Sequence, residues 1–280
     1  MNRAQANGAE VNSAEANGAE VNRAEANGAE VNRAEVNSAE ANVARVSRGL
    51  KAVVFDAGET LVNESRLWCA WADWLRVPHH VLFAALGAVI EKGEHHHRVF
   101  ELLRPGFDLA RAREQRCRQG APDRIEPADL YPDAAPCLNA LKHGGLRVGV
   151  AANQPEDSER ALQACGLPVD FIASSARWQV EKPSPAFFHR IAVELDLPAR
   201  SIAYVGDRFD NDILPAREAG FFTVFIRRGP WGFLHATLPQ AAKAHLRIES
   251  LSELPDVLNR MTGRRSLCPA LPSRDRRERF

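Results

Sequence analysis

The chain has 280 residues, 45% of them hydrophobic and 26% charged, and its 36 Lys and Arg balance 36 Asp and Glu. That describes a soluble globular protein of one or two domains and excludes the basic excess expected of a nucleic-acid or anionic-membrane binder. The five cysteines are scattered and never in CxxC spacing, which argues against a disulfide or metal framework and predicts a reducing, cytoplasmic setting.

Residues 2–46 repeat a five-residue unit, NxAE[VA], without Leu, Ile, Phe or Trp. Its Ala-Glu-Val-Asn-Gly resembles a pentapeptide-repeat unit. However, Val or Ala stands where that β-helix wants a large apolar side chain, so residues 1–48 are expected to be disordered. No charged start followed by an apolar core opens the chain, so no secretory leader is expected. The longest mainly apolar stretch, Val81 to Ile90, is too short to span a bilayer.

From Gly49 the pattern changes. Lys51–Asp56, Leu146–Ala152, Val169–Ser174, Ser201–Gly206 and Phe222–Ile226 are short, β-rich apolar runs, suited to strands buried on both faces of a parallel sheet. Helical patterns at Asp133–His143, Glu156–Cys165, Pro185–Leu195 and Asp212–Ala219 separate most of them, as right-handed βαβ units require. The stretch between the first two strands is far longer than an ordinary βα loop. It carries helical patterns of its own at Ser65–Leu75, Pro78–Lys92, His95–Leu103 and Leu109–Gln119.

The expected fold is therefore α/β: an open, Rossmann-like parallel sheet with helices on both faces and an inserted all-α cap. The core takes 49–63 and 131–262, and the cap takes 64–130. The basic tail of 263–280 is expected to be disordered.

Open α/β sheets bind ligands beyond the carboxyl ends of their strands, where strand order reverses. Asp56 follows the first strand, Asn153 the second, Lys182 (in VEKPSP) the third, and Asp207 and Asp212 (in VGDRFDND) the fourth. Carboxylates hold hard Mg²⁺, and Lys with Mg²⁺ neutralises a transferring phosphoryl group. Asp56 is then placed to attack phosphorus, dividing one displacement into two easier steps.

In these residues the chain resembles the haloacid dehalogenase (HAD) superfamily of hydrolases. DxGxT at 56–60, the EKPSP lysine and GDxxxxD at 206–212 stand in that family's order, and the insert matches its helical cap. The resemblance implies Asp56 as nucleophile and Mg²⁺ ligand, with the Gly58 backbone carbonyl, Asp207 and Asp212 completing the metal site. Lys182 would stabilise the nucleophile, and Asp212 is also placed to orient it. Backbone N–H groups of Ala57 to Thr60 would face the phosphate, with Thr60 and Asn153 binding substrate. A small phosphorylated metabolite is the implied substrate.

Two departures stand out. Family phosphatases carry a second aspartate two residues after the nucleophile, as general acid and base; here that residue is Gly58, and such a loss costs about 10²–10⁴ in rate. The family's Ser/Thr after strand two is replaced by Ala152 and Asn153. Glu59 is the neighbouring candidate for the missing acid, against the reading that it ion-pairs locally or faces the cap.

The leading function is thus a Mg²⁺-dependent phosphatase or phosphotransferase working through an aspartyl intermediate. The alternatives are a catalytically weakened binding or regulatory module, or a dehalogenase-type hydrolase, because carbon–halogen-cleaving branches also lack the second aspartate. A receiver domain is set aside, since its phosphorylated aspartate follows the third strand.

Other residues have bland readings. Asp210 is expected to cap the helix after strand four. Trp68, Trp71 and Trp74 recur at helical spacing and are expected to pack the cap. His95, His96 and His97 are expected on a helix, diverging, as a polar cap face and not a chelate.

Overall fold

A computed structural model describes residues 49–262; the N-terminal repeat and the C-terminal tail, both expected to be disordered, lie outside the described residues. Strand β1 (Ala52–Phe55) is AVVF and is buried at every position. Such a strand needs cover on both faces, and a parallel sheet supplies it.

β1 pairs in parallel with β2 (Arg147–Ala152) on one side and β4 (Ile202–Gly206) on the other. β3 (Phe171–Ser174) continues beyond β2, and β5 (Phe222–Ile226) and β6 (Leu246–Ile248) continue beyond β4. The order β3-β2-β1-β4-β5-β6 runs outward from β1 both ways. The switch point therefore lies between β1 and β4, and register puts Phe55 opposite Val205, so Asp56 and Asp207 leave adjacent strand ends.

Helices follow local signals. Helix α8 (Pro185–Leu195) starts with Pro185 in its first turn and Ser184 accepting the Ala186 N–H at 3.3 Å, and ends at Asp196 in the left-handed region. Its Phe187, Phe188, Ile191 and Leu195 pack on Ala52, Val54 and Tyr204 of the sheet. Helices α5 (Ala134–His143) and α6 (Glu156–Ala164) lie where their patterns put them, and α6 carries three acids in its first turn, complementing its dipole.

The long insert holds α1 (Ser65–Leu75), α2 (His79–Glu91), α3 (Arg98–Leu103) and α4 (Leu109–Arg118). Trp68 and Trp71 pack with Leu82, Leu86, Val89 and Phe100, while Trp74 is only partly buried against them. Trp231, from α10 (Gly229–His235) after β5, completes this cluster and ties the insert to the sheet side of the chain.

Several elements differ from the sequence expectation. His95–His97 are not helical: they form the turn whose carbonyls accept the N–H groups of Arg98, Val99 and Phe100, so α3 starts three residues late. After β4 the chain makes a wide π-helical turn, Phe209–Ile213, before the short α9 (Leu214–Glu218). Edge strand β6, α7 (Ser175–Trp178), α10 and α11 (Leu254–Thr262) were not anticipated. Among the described residues, no helix is long and apolar enough to cross a membrane.

Candidate active site

β1 delivers Asp56 to the sheet edge, where its N–H still donates to the Val205 carbonyl at 2.8 Å. The chain then folds back tightly. The Ala57 carbonyl accepts from Thr60, Leu61 and Val62 at 3.3, 2.9 and 2.9 Å, and the Glu59 N–H donates to Val62 at 2.7 Å. Glu59 takes φ 52°, a left-handed conformation unfavourable for a residue with a Cβ. Since the N–H groups of Glu59 and Thr60 are already used inside the loop, they are not the free phosphate donors expected from the sequence.

Lys182 arrives from the loop after α7 and is 3% exposed. Its Nζ donates to Asp56 Oδ1 and to Asp212 Oδ1, each at 2.6 Å, and lies 5.6 Å from the centre of the Tyr204 ring. Burial by itself pulls an ammonium down, but Asp212 and Asp56 outweigh it and hold Lys182 well above the usual lysine range.

Asp212 is fully buried; its other oxygen accepts the Arg208 N–H at 3.0 Å. Burial pushes its carboxyl up to about 6, against the opposing pull of Lys182. Asp207 is 2% exposed, and burial beside Asp212 and Asp56 raises it well above the usual carboxylate range. Gly206 makes this crowding possible, because a Cβ there would lie 2.4 Å from Asp212 Oδ2.

Asp56, Asp207 and Asp212 each present a carboxylate oxygen within 4.8 Å of the others. Three buried acids sharing one buried lysine leave an excess of negative charge in a small space. An all-oxygen donor set of that charge fits a hard divalent cation such as Mg²⁺.

The other sequence-derived residues lie differently. Asn153 grips the Lys182 main chain: Oδ1 accepts its N–H and Nδ2 donates to its carbonyl, both at 2.8 Å. Thr60 is fully buried and its hydroxyl has no partner among the described residues, while its carbonyl accepts from Arg228 at 3.1 Å. Glu59 is 5% exposed; Oε2 accepts the Tyr131 hydroxyl at 2.6 Å and Oε1 the Glu64 N–H at 3.1 Å. Burial raises its carboxyl, with these two donors opposing.

Asp210 does not cap: its carboxylate pairs with the Arg208 guanidinium at 2.7 Å. Arg208 in turn lies 5.1 Å from the Trp231 ring centre. The three histidines, freed from helical geometry, gather instead of diverging, with ring centroids 4.3 to 4.6 Å apart. Burial, with cationic neighbours adding, lowers all three below the ordinary imidazole value, His97 to about 4.

Sequence reasoning missed Glu64. It occupies the N-cap position of α1, yet its side chain accepts no capping hydrogen bond. Its carboxyl instead turns back over Gly58, and burial, then Glu59 and Asp56, push it up to about 8. The available signal was a glutamate where helix starts favour Ser, Thr, Asp or Asn.

A family model described as haloacid dehalogenase-like hydrolase matches residues 50–220. A glyceraldehyde 3-phosphate phosphatase of Methanopyrus kandleri is 31% identical over 207 residues, covering 65% of this chain and 86% of its own. The haloacid dehalogenase-like hydrolase domain-containing protein 3 of Danio rerio is 31% identical over 136 residues, 48% of this chain; the chain spans 54% of that relative's length. Among solved structures, a HAD-hydrolase of Bacillus subtilis bound to magnesium superposes with TM-score 0.56 at 18% identity, covering 75% of this chain and 99% of its own. That last likeness is one of fold.

Proposed function

The chain belongs to the haloacid dehalogenase-like hydrolases, and from that premise we propose that it hydrolyses a small phosphorylated metabolite through a phosphorylated Asp56. The observation that carries the reading is the buried Lys182 bridging Asp56 and Asp212 beside Asp207. Asp56, Asp207, Asp212 and the Gly58 carbonyl would hold Mg²⁺. When bound, the cation neutralises phosphoryl oxygens and lowers the repulsion met by an attacking carboxylate.

The chain's own residues do the rest. Asp56 attacks phosphorus as the ester P–O bond breaks, and water later cleaves the aspartyl phosphate to release phosphate and restore the carboxylate. Lys182 fixes the Asp56 carboxylate and balances charge on the transferring group. Asp212 aims Lys182, and Asn153 anchors its main chain. The phosphatase named among the relatives supports a phosphorylated substrate.

The test is turnover of aryl, acyl and alkyl phosphates and of 2-haloacids by the full chain, with Mg²⁺ or EDTA, beside Asp56→Asn. Mg²⁺-dependent phosphate release that disappears in Asp56→Asn is the expected result. Equal rates for the two proteins overturn Asp56 as nucleophile; dehalogenation without phosphate release moves the chain to the carbon–halogen branch. Phosphate-analogue binding without any turnover identifies a binding module.

A further inference from the structure

We propose that Glu64, at the start of the first insert helix, supplies the acid–base carboxyl that position 58 lacks. The proposal rests on the phosphatase reading above. A Cβ built on Gly58 would lie 2.6 Å from Glu64 Oε1 and 3.1 Å from its carboxyl carbon. The glutamate therefore fills, from another part of the chain, the space into which an aspartate side chain at 58 would grow. Gly58 is not required here by a positive φ; what it provides is room.

The carboxyl is held there. The Glu64 N–H donates to Glu59 Oε1 at 3.1 Å, and Tyr131 fixes the opposite oxygen of Glu59 at 2.6 Å. Glu59 thus positions the residue next to the vacancy and is itself tied up. One turn along α1, Trp68 neighbours the Glu64 carboxyl and slightly opposes the rise that burial imposes on it. Among the described residues, no Lys, Arg or His forms an ion pair with Glu64. A glutamate placed only to stabilise its helix would cap it, and this one does not.

The two steps balance. As Asp56 bonds to phosphorus, the ester P–O bond breaks and the Glu64 carboxyl gives its proton to the leaving alkoxide, which departs as an alcohol. The resulting Glu64 carboxylate then takes a proton from water while the water oxygen bonds to phosphorus and the P–O(Asp56) bond breaks. Phosphate leaves and both carboxyl groups regain their starting states.

Glu64→Gln keeps size and shape and removes the proton transfer. Alkyl-phosphate turnover is expected to fall about 10²–10⁴-fold. Aryl phosphate, whose leaving group needs little protonation, still phosphorylates Asp56 in the first turnover, so acid-trapped phosphoenzyme accumulates in the variant and not in wild type. Gly58→Asp alone displaces the flexible end of Glu64 and exchanges one carboxyl for another, so it gains little, whereas Gly58→Asp combined with Glu64→Ala recovers at least 10-fold over Glu64→Ala.

Alkyl-phosphate turnover in Glu64→Gln within threefold of wild type, with no added phosphoenzyme, overturns the proposal. So does a double variant that binds beryllofluoride like wild type but shows no recovery. Failure of the underlying phosphatase reading shows in wild type itself, which would then release no phosphate from alkyl or aryl esters beyond the Asp56→Asn level.

Discussion

Asn153 holds the main chain of Lys182 from both sides, accepting its N–H and donating to its carbonyl, each at 2.8 Å. Asn153 closes β2 and Lys182 follows β3 and α7, so this pair joins two strand ends through one amide. Its consequence is felt at Nζ, because Lys182 must reach Asp56 and Asp212 together at 2.6 Å.

Asn153→Ala is therefore expected to lower kcat by about 10²-fold, the scale of a misplacement near 1 Å, with KM changed less. Asn153→Asp keeps the acceptor and loses the donor, and falls between. Steady-state kinetics on an aryl phosphate check the ranking. A rise in KM with unchanged kcat would mean that Asn153 binds substrate directly, as the sequence alone led one to expect.

Lys182→Met leaves Asp56, Asp207 and Asp212 without their buried cation. Removing one partner of a buried charge network costs about 3–5 kcal/mol. Urea unfolding in EDTA is expected to show that loss, and saturating Mg²⁺ to return part of it by binding the folded state. A stability unchanged in EDTA would show that the acids are already neutral without Lys182.

The core of this picture was readable because the residues that matter stand at strand ends or a short way beyond them. Asp56, Lys182, Asp207 and Asp212 follow short apolar runs, and a parallel sheet with its switch point beside β1 converges them. Long-range side-chain direction was not readable. Nothing in LVNES says that Glu64 turns back over Gly58 instead of capping α1, or that Asn153 faces a main chain. The histidines show the same limit from the other side: helical periodicity put them on a helix, but the chain turns there and the rings gather. Edge strand β6 buries only Ile248 fully, so its pattern is too weak to stand out.

Asp133 tests the electrostatics away from the site. One oxygen accepts from Arg228, from Ser250 Oγ at 2.7 Å and from the Leu251 N–H at 3.0 Å, tying the start of α5 to the segments after β5 and β6. Burial opposes ionisation, yet the Arg228 and Ser250 hydrogen bonds prevail and hold the carboxyl below its ordinary 3.8. A depressed folded value means that stability is fully present above the unfolded pKa and is lost as pH falls through the folded one. Asp133→Asn is expected to cost about 2 kcal/mol at neutral pH. The gap should close only below about pH 4 in denaturant titrations. Neighbouring Cys137, pushed up to about 12 by burial, stays neutral there. A gap constant down to acid pH would show that the lost interaction is not ionic.

Gly206→Ala tests the spacing of the metal acids. The added Cβ would meet Asp212 Oδ2 at 2.4 Å, its Cγ at 2.5 Å and its Cβ at 2.6 Å. Asp212 cannot swing aside freely, since Lys182 holds one oxygen and the Arg208 N–H the other. The strand or the carboxylate must move, at a cost of about 1–3 kcal/mol typical of overpacking. Because Asp212 lies within the π-helical turn Phe209–Ile213 and Asp207 just before it, that displacement should spread the three carboxylates that now lie within 4.8 Å. The expected result is a divalent-cation affinity lowered at least about 10-fold, a difference of about 1.4 kcal/mol, read from Mg²⁺-induced thermal shifts. If the variant is destabilised but binds the cation as wild type does, Asp212 serves Lys182 alone and the ion is held by Asp56 and Asp207.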